Sequence, residues 1–198
     1  MKFGAVILAA GESSRMGSPK ALLRWNGETF LDRLIALFAT VASPVVVVLG
    51  FRADEVRRGL ARGSEAAFAI NPDPARGMLS SLQTGLAALP EGLDGFLFTT
   101  VDSPAVAPLT VKRLTGAIEA GAALAIPRWQ GRNGHPVACA AGLAAEFLAL
   151  DPGHSPKEVV RRHESETERV EVDDPGAIAD IDTPEDYEDL LAAGAPAR

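Results

Sequence analysis

A short apolar segment of this chain leads into a loop of small residues that carries two cations. Residues 6 to 20 read Val-Ile-Leu-Ala-Ala-Gly-Glu-Ser-Ser-Arg-Met-Gly-Ser-Pro-Lys. The small side chains at 9 to 11 let a ligand approach the backbone, and Gly17 gives access to dihedral angles that are closed to other residues. Arg15 and Lys20 supply cationic donors for phosphate oxygens. These residue types in this order predict a loop that binds the phosphates of a nucleotide.

The spacing of the glycines excludes the two most common phosphate-binding loops. A Walker loop has four residues between its glycines and a Lys directly after the second. Here five residues separate Gly11 from Gly17, and two more precede Lys20. A dinucleotide-binding loop needs a G-x-G-x-x-G sequence, which this segment lacks. The loop therefore belongs to a different kind of nucleotide site.

The elements that must position this loop follow from two alternating patterns. Some stretches are apolar, rich in β-branched residues and hydrophobic on both faces, which is typical of strands buried in a parallel sheet. Between them, apolar residues recur at helical spacing. The strand patterns are 3 to 8, 44 to 49, 66 to 70, 94 to 101 and 122 to 126, and the helical patterns are 29 to 41, 53 to 61, 78 to 89 and 108 to 120. The alternation predicts an α/β fold with right-handed crossovers.

A carboxylate, Asp102, directly follows the fourth predicted strand. Ligands of an open parallel sheet bind at the carboxyl ends of its strands, so we expect Asp102 and the loop to face one crevice. A carboxylate fixed there by Pro104 would suit Mg²⁺ bound to a triphosphate. The alternative is that Asp102 caps the turn formed with Ser103 and Pro104.

Composition and charge limit the class of protein. With 198 residues, of which 47% are hydrophobic, the chain can bury one sizeable core, so residues 1–198 are expected to form a single domain. The lone Cys139 excludes an internal disulfide, and the chain shows no secretory signal or membrane-spanning run, which predicts a cytoplasmic protein. A formal charge of −7 argues against nucleic acid as a partner. Residues 164 to 189 hold twelve acids against one base, which we interpret as a solvated face.

The loop sequence also resembles a specific family signature. Residues 8 to 20 match all nine specified positions of the pattern L-A-A-G-x-S-x-R-M-G-x-x-K. This pattern is the signature of the MobA-like and MocA-like nucleotidyltransferases, and the resemblance is closest to the molybdenum cofactor cytidylyltransferases. It implies a three-layer α/β/α fold with a mostly parallel central sheet, the Rossmann-like nucleotidyltransferase fold of GT-A type. The nucleotide-binding residues that it implies are Leu8, Ala9, Ala10, Gly11, Ser13, Arg15, Gly17, Lys20, Ser80 and Ser81.

Two more segments resemble the metal-binding motifs of this family. Residues 102–104 match its D-x-P motif, which implies that Asp102 holds the metal, although Ser103 stands where Gln is frequent. Residues 180–187 match D-I-D-T-P-E-D-Y and offer Asp182 as a second metal ligand. A helix start, with Asp or Thr as the cap and Pro in the first turn, explains the second segment equally well.

A third segment carries the two serines of the implied nucleotide pocket. Residues 77–86 resemble the family's G-M-x-x-S-L-x-x-G-L sequence, in which Ser81 aligns with the family serine. Base or ribose contact is the role that the resemblance implies for Ser80 and Ser81, and capping of a helix start is the alternative.

The acceptor is expected to bind at a fourth segment. Residues 131–137 resemble the family's R-G-H-P-V sequence, with Asn133 in place of a common second basic residue. The resemblance implies that Arg132 and His135 contact the acceptor, and a Gly-rich hairpin without a ligand is the alternative. The family's later G-D-x-G-A-R sequence is replaced at 151–157 by Asp-Pro-Gly-His-Ser-Pro-Lys, so the resemblance does not extend to this segment.

The combined resemblance implies transfer of a CMP group from CTP to a phosphorylated acceptor, molybdopterin, with release of pyrophosphate. Mg²⁺ is the implied cofactor, anchored by Asp102. Lys20 would stabilise charge at the α-phosphate, and Arg15 would grip the outer phosphates. Residues 1–105 are expected to form the nucleotide-binding half and residues 106–192 the acceptor-binding half.

The base and the acceptor leave alternatives open. Guanylyltransferases of the family typically read L-A-G-G, whereas this chain has Ala10 before Gly11, which favours CTP. A guanylyltransferase of the same cofactor, a sugar- or polyol-phosphate nucleotidyltransferase and a catalytically silent nucleotide carrier are the alternatives. The expected partners are the nucleotide, the acceptor and a molybdoenzyme or its chaperone, with no membrane partner, and the expected state is a monomer.

Overall fold

The computed structural model describes residues 1–193, except for the side chain of Arg15. The strands in this part of the chain are β1 (Phe3–Ala9), β2 (Arg24–Trp25), β3 (Glu28–Thr29), β4 (Val45–Leu49), β5 (Ala67–Ile70), β6 (Gly95–Thr100), β7 (Leu124–Trp129), β8 (Arg132–Asn133), β9 (Val137–Ala140) and β10 (Thr167–Glu171). The α-helices are α1 (Phe30–Ala39), α2 (Ala53–Gly59), α3 (Met78–Ala87), α4 (Pro108–Glu119), α5 (Ala144–Ala149), α6 (Lys157–Arg162) and α7 (Pro184–Ala193). The last residues of the predicted domain, 194–198, lie outside the described part.

One mixed sheet forms the centre of the fold. Its strand order is β5-β4-β1-β6-β9-β7-β10, with β8 paired to β7. The neighbours β5, β4, β1 and β6 run parallel to one another, and so do β7 and β10. Strand β9 is antiparallel to both of its neighbours, and β2 and β3 form a separate hairpin. The sequence patterns predict β1, β4, β5, β6 and β7, but neither the antiparallel β9 nor the parallel edge strand β10.

Helices cover both faces of the sheet, which confirms the predicted three-layer α/β/α fold. One hydrophobic cluster joins α1, α2 and α4 to the sheet, and the other joins α3, α5 and α6 to its opposite face. Strand β1 contributes to both, with Phe3, Ala5 and Ile7 on one side and Val6 and Leu8 on the other. Every residue of β1 is buried, as expected for a strand covered on both faces.

Strand β1 lies where the chain reverses direction across the sheet. From β1 the chain passes to β4 and β5 on one side, and it then crosses to β6 on the other. The Val101 backbone N–H donates to the Leu8 carbonyl at 3.0 Å, so the ends of β1 and β6 are adjacent. Ligands bind beyond the carboxyl ends of the strands at such a switch point. The loop after β1 and the turn with Asp102 after β6 thus lie side by side, as the sequence predicts.

Helix α3 packs so closely on the sheet that Gly85 has no room for a side chain. A Cβ at this position would collide with Val6 of β1 and would lie 2.8 Å from Cγ2 of Val48. Overpacking of this kind costs about 1–3 kcal/mol, whereas the better helix propensity of Ala returns only about 1 kcal/mol. We therefore expect Gly85→Ala to lower the free energy of unfolding measured in urea.

Gly116 in α4 provides a matched control, because nothing lies within 4 Å of a Cβ placed there. Gly116→Ala should raise the free energy of unfolding by about 0.5–1 kcal/mol through helix propensity alone. If both substitutions stabilised the protein, close packing of α3 on β1 would be contradicted.

Candidate active site

The loop after β1 folds back on itself through left-handed residues. Ser13 has φ 57° and Gly17 has φ 68°, and a single 3₁₀ turn over Ser14–Met16 lies between them. The Ser13 hydroxyl accepts a hydrogen bond from the Lys20 backbone N–H at 3.1 Å, which closes the loop. The side chain of Arg15, a predicted catalytic and nucleotide-binding residue, lies outside the described part of the structure.

Lys20 joins the loop to two acids that are distant in sequence. Its Nζ donates to Oδ1 of Asp182 at 2.5 Å and lies 3.9 Å from Oδ2 of Asp102. The lysine side chain is only 11% exposed, whereas that of Asp182 is 45% exposed, so the pair lies at the border between the interior and solvent. The structure thus brings together the three residues for which the sequence analysis predicted charge stabilisation and metal binding.

Asp102 is held at the end of β6 with one carboxylate oxygen unsatisfied. Its Oδ1 is buried and has no hydrogen-bond partner among the described residues. Burial raises the pKa of the Asp102 carboxyl above its ordinary value, outweighing the opposing effects of the Thr100 hydroxyl and the Lys20 ammonium. The Asp102 carbonyl accepts a 2.8 Å bond from the Ile181 N–H, which ties this turn to the segment that carries Asp182.

Asp182 is positioned by the start of α7. The Asp186 carboxylate accepts hydrogen bonds from the backbone N–H groups of Asp182 and Thr183, at 2.9 and 2.7 Å, and from the Thr183 hydroxyl. These bonds lower the pKa of Asp186 and form a capping box, with Pro184 at the first helical position. The helix-start interpretation of this segment is therefore confirmed. It is compatible with a ligand role, because the same cap holds the Asp182 carboxylate against Lys20.

A cavity of about 360 Å³ opens beside this cluster. Among the predicted nucleotide-binding residues, it is lined by Leu8, Ala9, Ala10, Gly11, Ser13, Lys20 and Ser81, together with Asp102. Gly17 and Ser80 do not line it. The Ser80 hydroxyl donates to the Gly77 carbonyl at 2.9 Å and accepts from the Asn71 amide, so its contacts are those of a helix start.

The sequence analysis missed further residues that line this first cavity. They include Phe51, Arg52, Pro74, Gly77, Met78 and Thr100. Phe51 and Arg52 follow β4, the strand next to β1, at the same edge of the sheet. The rule that ligands bind at the carboxyl ends of strands, applied to β4 as well as to β1 and β6, would have found them.

A second cavity, of about 840 Å³, contains the two predicted acceptor residues. Arg132 and His135 line it, and Met78 lines both cavities, so the two are neighbours. Burial lowers the pKa of His135, whose Nδ1 has no hydrogen-bond partner among the described residues. Asp180 lies at the edge towards Asp102 and accepts from the Ser103 hydroxyl at 3.0 Å. The remaining charged or titratable lining residues, all missed by the sequence analysis, are His154, Lys157 and Arg161.

Comparison with known proteins places this geometry in a family. Residues 5–167 match the model of the MobA-like NTP transferase domain. The chain belongs to this family. It is 28% identical over 182 residues to the molybdenum cofactor cytidylyltransferase of Escherichia coli (strain K12), and the aligned region covers 92% of each chain. It is 32% identical over 137 residues to the molybdenum cofactor guanylyltransferase of Sinorhizobium fredii, which covers 67% of this chain and 60% of that protein.

Solved structures confirm the nucleotidyltransferase fold of this MobA-like domain. Rv0371c from Mycobacterium tuberculosis H37Rv superposes with a TM-score of 0.84 at 28% identity, covering 97% of this chain and 98% of that chain. A structure of Rv0371c in complex with manganese superposes with a TM-score of 0.80 at 26% identity, covering 98% and 100%. A nucleotidyl transferase from Methanothermobacter thermautotroptrophicus gives 0.81 at 27% identity and 97% coverage of each chain. The predicted enzyme class, a nucleotidyltransferase, is confirmed with the family.

The MobA-like domain holds no self-contained metal cluster and no membrane-spanning helix among residues 1–193. Within residues 1–193, no three His, Cys, Asp or Glu side chains come together to hold a metal ion by themselves. Over the same residues, no helix has the length and apolar character needed to cross a membrane. A metal held by Asp102 and Asp182 would thus find no third ligand of these four residue types within residues 1–193.

Helix α6 of the second cavity is fixed at its end by a doubly bound histidine. His163 Nε2 lies 2.7 Å from Glu146 of α5, and its Nδ1 lies 3.0 Å from Glu166. Carboxylates at both ring nitrogens, Glu146 foremost, raise the pKa of His163. The stabilisation is therefore complete below the ordinary pKa of about 6.5 and is lost as the pH rises through the raised value.

This histidine predicts a pH-dependent stability. We expect His163→Gln to lower the melting temperature clearly at pH 6 and less at pH 9, because the stabilisation from the charged ring is lost as the pH rises through the raised pKa. His154→Gln is the control, because among the described residues His154 makes only one ion pair, with Glu158 at the protein surface, and should show a smaller effect. An equal loss for His163→Gln at both pH values would mean that the ring acts by packing alone.

Proposed function

We propose that this MobA-like domain transfers a CMP group from CTP to the phosphate of a molybdopterin acceptor and releases pyrophosphate. The observation that carries the proposal is the cluster of Lys20, Asp102 and Asp182, in which Lys20 and Asp102 line the first cavity and Asp182 contacts Lys20. This cluster places a cation and two acids beside a loop whose backbone is open to phosphate. The similarity to the Escherichia coli cytidylyltransferase, over nearly the full length of both chains, supports the assignment.

The two acids fit a divalent ion, for which we propose Mg²⁺. The buried, unpartnered Oδ1 of Asp102 is a hard oxygen donor, which is the ligand type that Mg²⁺ prefers. One or two carboxylates suffice when substrate phosphates complete the shell, so the lack of a third acid among the described residues does not argue against the ion. The bound ion would neutralise charge on the triphosphate. Manganese in the solved Rv0371c complex supports a divalent ion here.

The residues of this chain then act by position and charge. An oxygen of the acceptor phosphate attacks the α-phosphorus of CTP in line, and the bond to the β-phosphate oxygen breaks to release pyrophosphate. We propose that Lys20 neutralises charge at the α-phosphate and that Arg15 grips the outer phosphates. No protein nucleophile is needed, and Cys139 cannot supply one, because it is fully buried and burial raises its thiol pKa well above the ordinary value.

The two cavities correspond to the two substrates in this proposal. CTP occupies the first cavity, and the acceptor occupies the second, with Arg132 and His135. The acceptor-binding half at 106–192 also contributes Asp182, which lies just before α7 and contacts Lys20 of the first cavity, so we propose that the reacting atoms meet between the predicted halves. The product would pass to a molybdoenzyme or its chaperone.

Base choice rests on the position of Ala10, which lines the first cavity before Gly11. We propose CTP on the cytidylyltransferase-like L-A-A-G sequence. GTP is the second candidate, favoured by the similarity to the Sinorhizobium fredii guanylyltransferase.

Pyrophosphate release tests the proposal directly. We expect release from CTP with Mg²⁺ and molybdopterin, much slower release from GTP, and little release when a sugar or polyol phosphate replaces molybdopterin. Preference for GTP would overturn the base, and preference for a sugar or polyol phosphate would overturn the acceptor. CTP binding without release from any acceptor would identify a silent carrier.

A further inference from the structure

We infer that Lys157, Arg161 and Arg132 bind a second anionic group of the acceptor, distinct from the phosphate that reacts. The inference rests on the proposed function, because it takes the second cavity as the acceptor site. It adds the chemical class of the acceptor, a phosphomonoester that carries another anion.

The three cations converge on one cavity without acids of their own. Arg132 lines the cavity from β8, and Lys157 and Arg161 line it from α6. None of the three forms an ion pair within residues 1–193, whereas Arg162 and Arg169 nearby both do. The formal charge of −7 means that the chain has more acidic than basic residues. A shortage of acids therefore does not explain why these three cations lack acidic partners among the described residues. Unpaired cations on a concave surface are suited to an anionic ligand.

The positions of the two cations on α6 destabilise this helix. Lys157 and Arg161 are four residues apart, so they share one helix face, where like charges are destabilising. A helix of six residues has little stability of its own. It is held from outside by the fully buried Val159 and by the bridges of His163. A destabilising local interaction that the surrounding structure compensates is expected where residues bind a ligand.

The second cavity carries charges of both signs. Asp180 accepts from the hydroxyl of Ser103, the neighbour of Asp102, whereas two of the three cations come from α6. The reacting phosphate must reach Lys20 and Asp102, which line the first cavity and not the second. The α6 cations therefore face the rest of the acceptor.

The three cations define the chemical class of acceptor that the second cavity would bind. A second phosphate, a carboxylate or a thiolate at the far end of the molecule would meet Lys157, Arg161 and Arg132. A simple polyol monophosphate has only hydroxyl groups beyond its phosphate and leaves these cations unpaired. Such a site discriminates by the contacts that the wrong acceptor fails to make.

Turnover kinetics of a charge-neutral pair of variants test the site. We expect Lys157→Gln with Arg161→Gln to raise the acceptor KM at least about tenfold, since hydrogen bonds between charged groups are lost. The KM for CTP should stay unchanged, and kcat should change far less than the acceptor KM. The matched control is Lys112→Gln with Arg113→Gln, an exposed pair on α4 with the same residue types and the same change in charge. The control should stay within about twofold of wild type.

Histidine NMR provides a readout that needs no turnover. The chain has three histidines, of which His135 and His154 line the second cavity and His163 lies at the end of α6. Titration of the CTP-saturated protein with inorganic phosphate should shift the ring resonances of His135 and His154 and leave His163 unchanged. The shifts should persist in the α4 control and disappear in the α6 double variant.

The two measurements separate failure of this inference from failure of the proposed function. If the wild type releases pyrophosphate and the α6 variant matches the α4 control in KM and in histidine shifts, the second anion site is overturned. If no acceptor supports pyrophosphate release, the proposed function fails, and the histidine titration alone then decides whether the cavity binds an anion.

Discussion

Lys20→Met should lower kcat for pyrophosphate release by about 10²–10³-fold, the cost of removing one donor aimed at developing charge. Lys20 is the cation that contacts both acids of the candidate site, and its ammonium is largely shielded from water. In the proposed reaction, negative charge builds up at the α-phosphate as the acceptor phosphate approaches. No neutral side chain can replace that compensation.

The fold should survive the loss of Lys20. The backbone N–H of Lys20 still donates to the Ser13 hydroxyl, so the loop remains closed. Lys112→Met, at an exposed lysine of α4, is the matched control and should keep full activity. Near-native kcat for Lys20→Met, with an unchanged melting temperature, would remove Lys20 from the reaction.

The parts of the fold that the sequence predicts are those with redundant local signals. Strand β1 is a continuous apolar run that is buried on both faces, and α1 has apolar residues at helical spacing with a capping threonine, Thr29. The ends of five strands and four helices of this kind lie within three residues of their predicted positions. Their local pattern and their tertiary environment agree.

The elements that the patterns miss depend on tertiary contacts. Strand β10 lies in the acidic segment with only Val170 buried, and it forms because it pairs with β7 at the edge of the sheet. The same segment contains Asp174, which is buried although the whole run was interpreted as solvated. Its carboxylate accepts from the Ala107 N–H and the Thr110 hydroxyl, so it caps α4 from a distant part of the chain. Composition alone does not reveal such a partner.

The candidate site likewise contains residues that the sequence indicates and residues that it does not. Lys20 and Asp102 follow from the rule that strand ends share an edge of the sheet, because Lys20 ends the loop that leaves β1 and Asp102 lies in the turn after β6. Asp182 is 162 residues from Lys20, and only the family motif indicates it. Lys157 and Arg161 have neither signal, since their segment departs from the family sequence and α6 is too short to be predicted from its pattern.

Asp102→Asn should abolish most activity and leave the protein at least as stable as wild type. The amide has nearly the shape of the carboxylate but is a poor ligand for Mg²⁺, so we expect kcat to fall by about 10²–10³-fold, the loss typical of a removed electrostatic contact in an active site. A higher Mg²⁺ concentration for half-maximal activity should accompany the fall. Asp189→Asn, on the exposed face of α7, is the control and should change neither quantity.

The stability of Asp102→Asn identifies the reason for the loss of activity. Burial raises the pKa of Asp102, so the charged form is costly in the folded state. The stability that this group contributes is complete below its ordinary pKa of about 3.9 and is lost as the pH rises through the raised value. Asn removes this titration, and its advantage in free energy of unfolding over wild type should therefore grow from pH 4 to pH 8. A variant that was inactive and also less stable at pH 8 would show that the carboxylate holds the turn together. An inactive variant with a pH-dependent gain would show that the protein keeps a costly buried charge for its reaction.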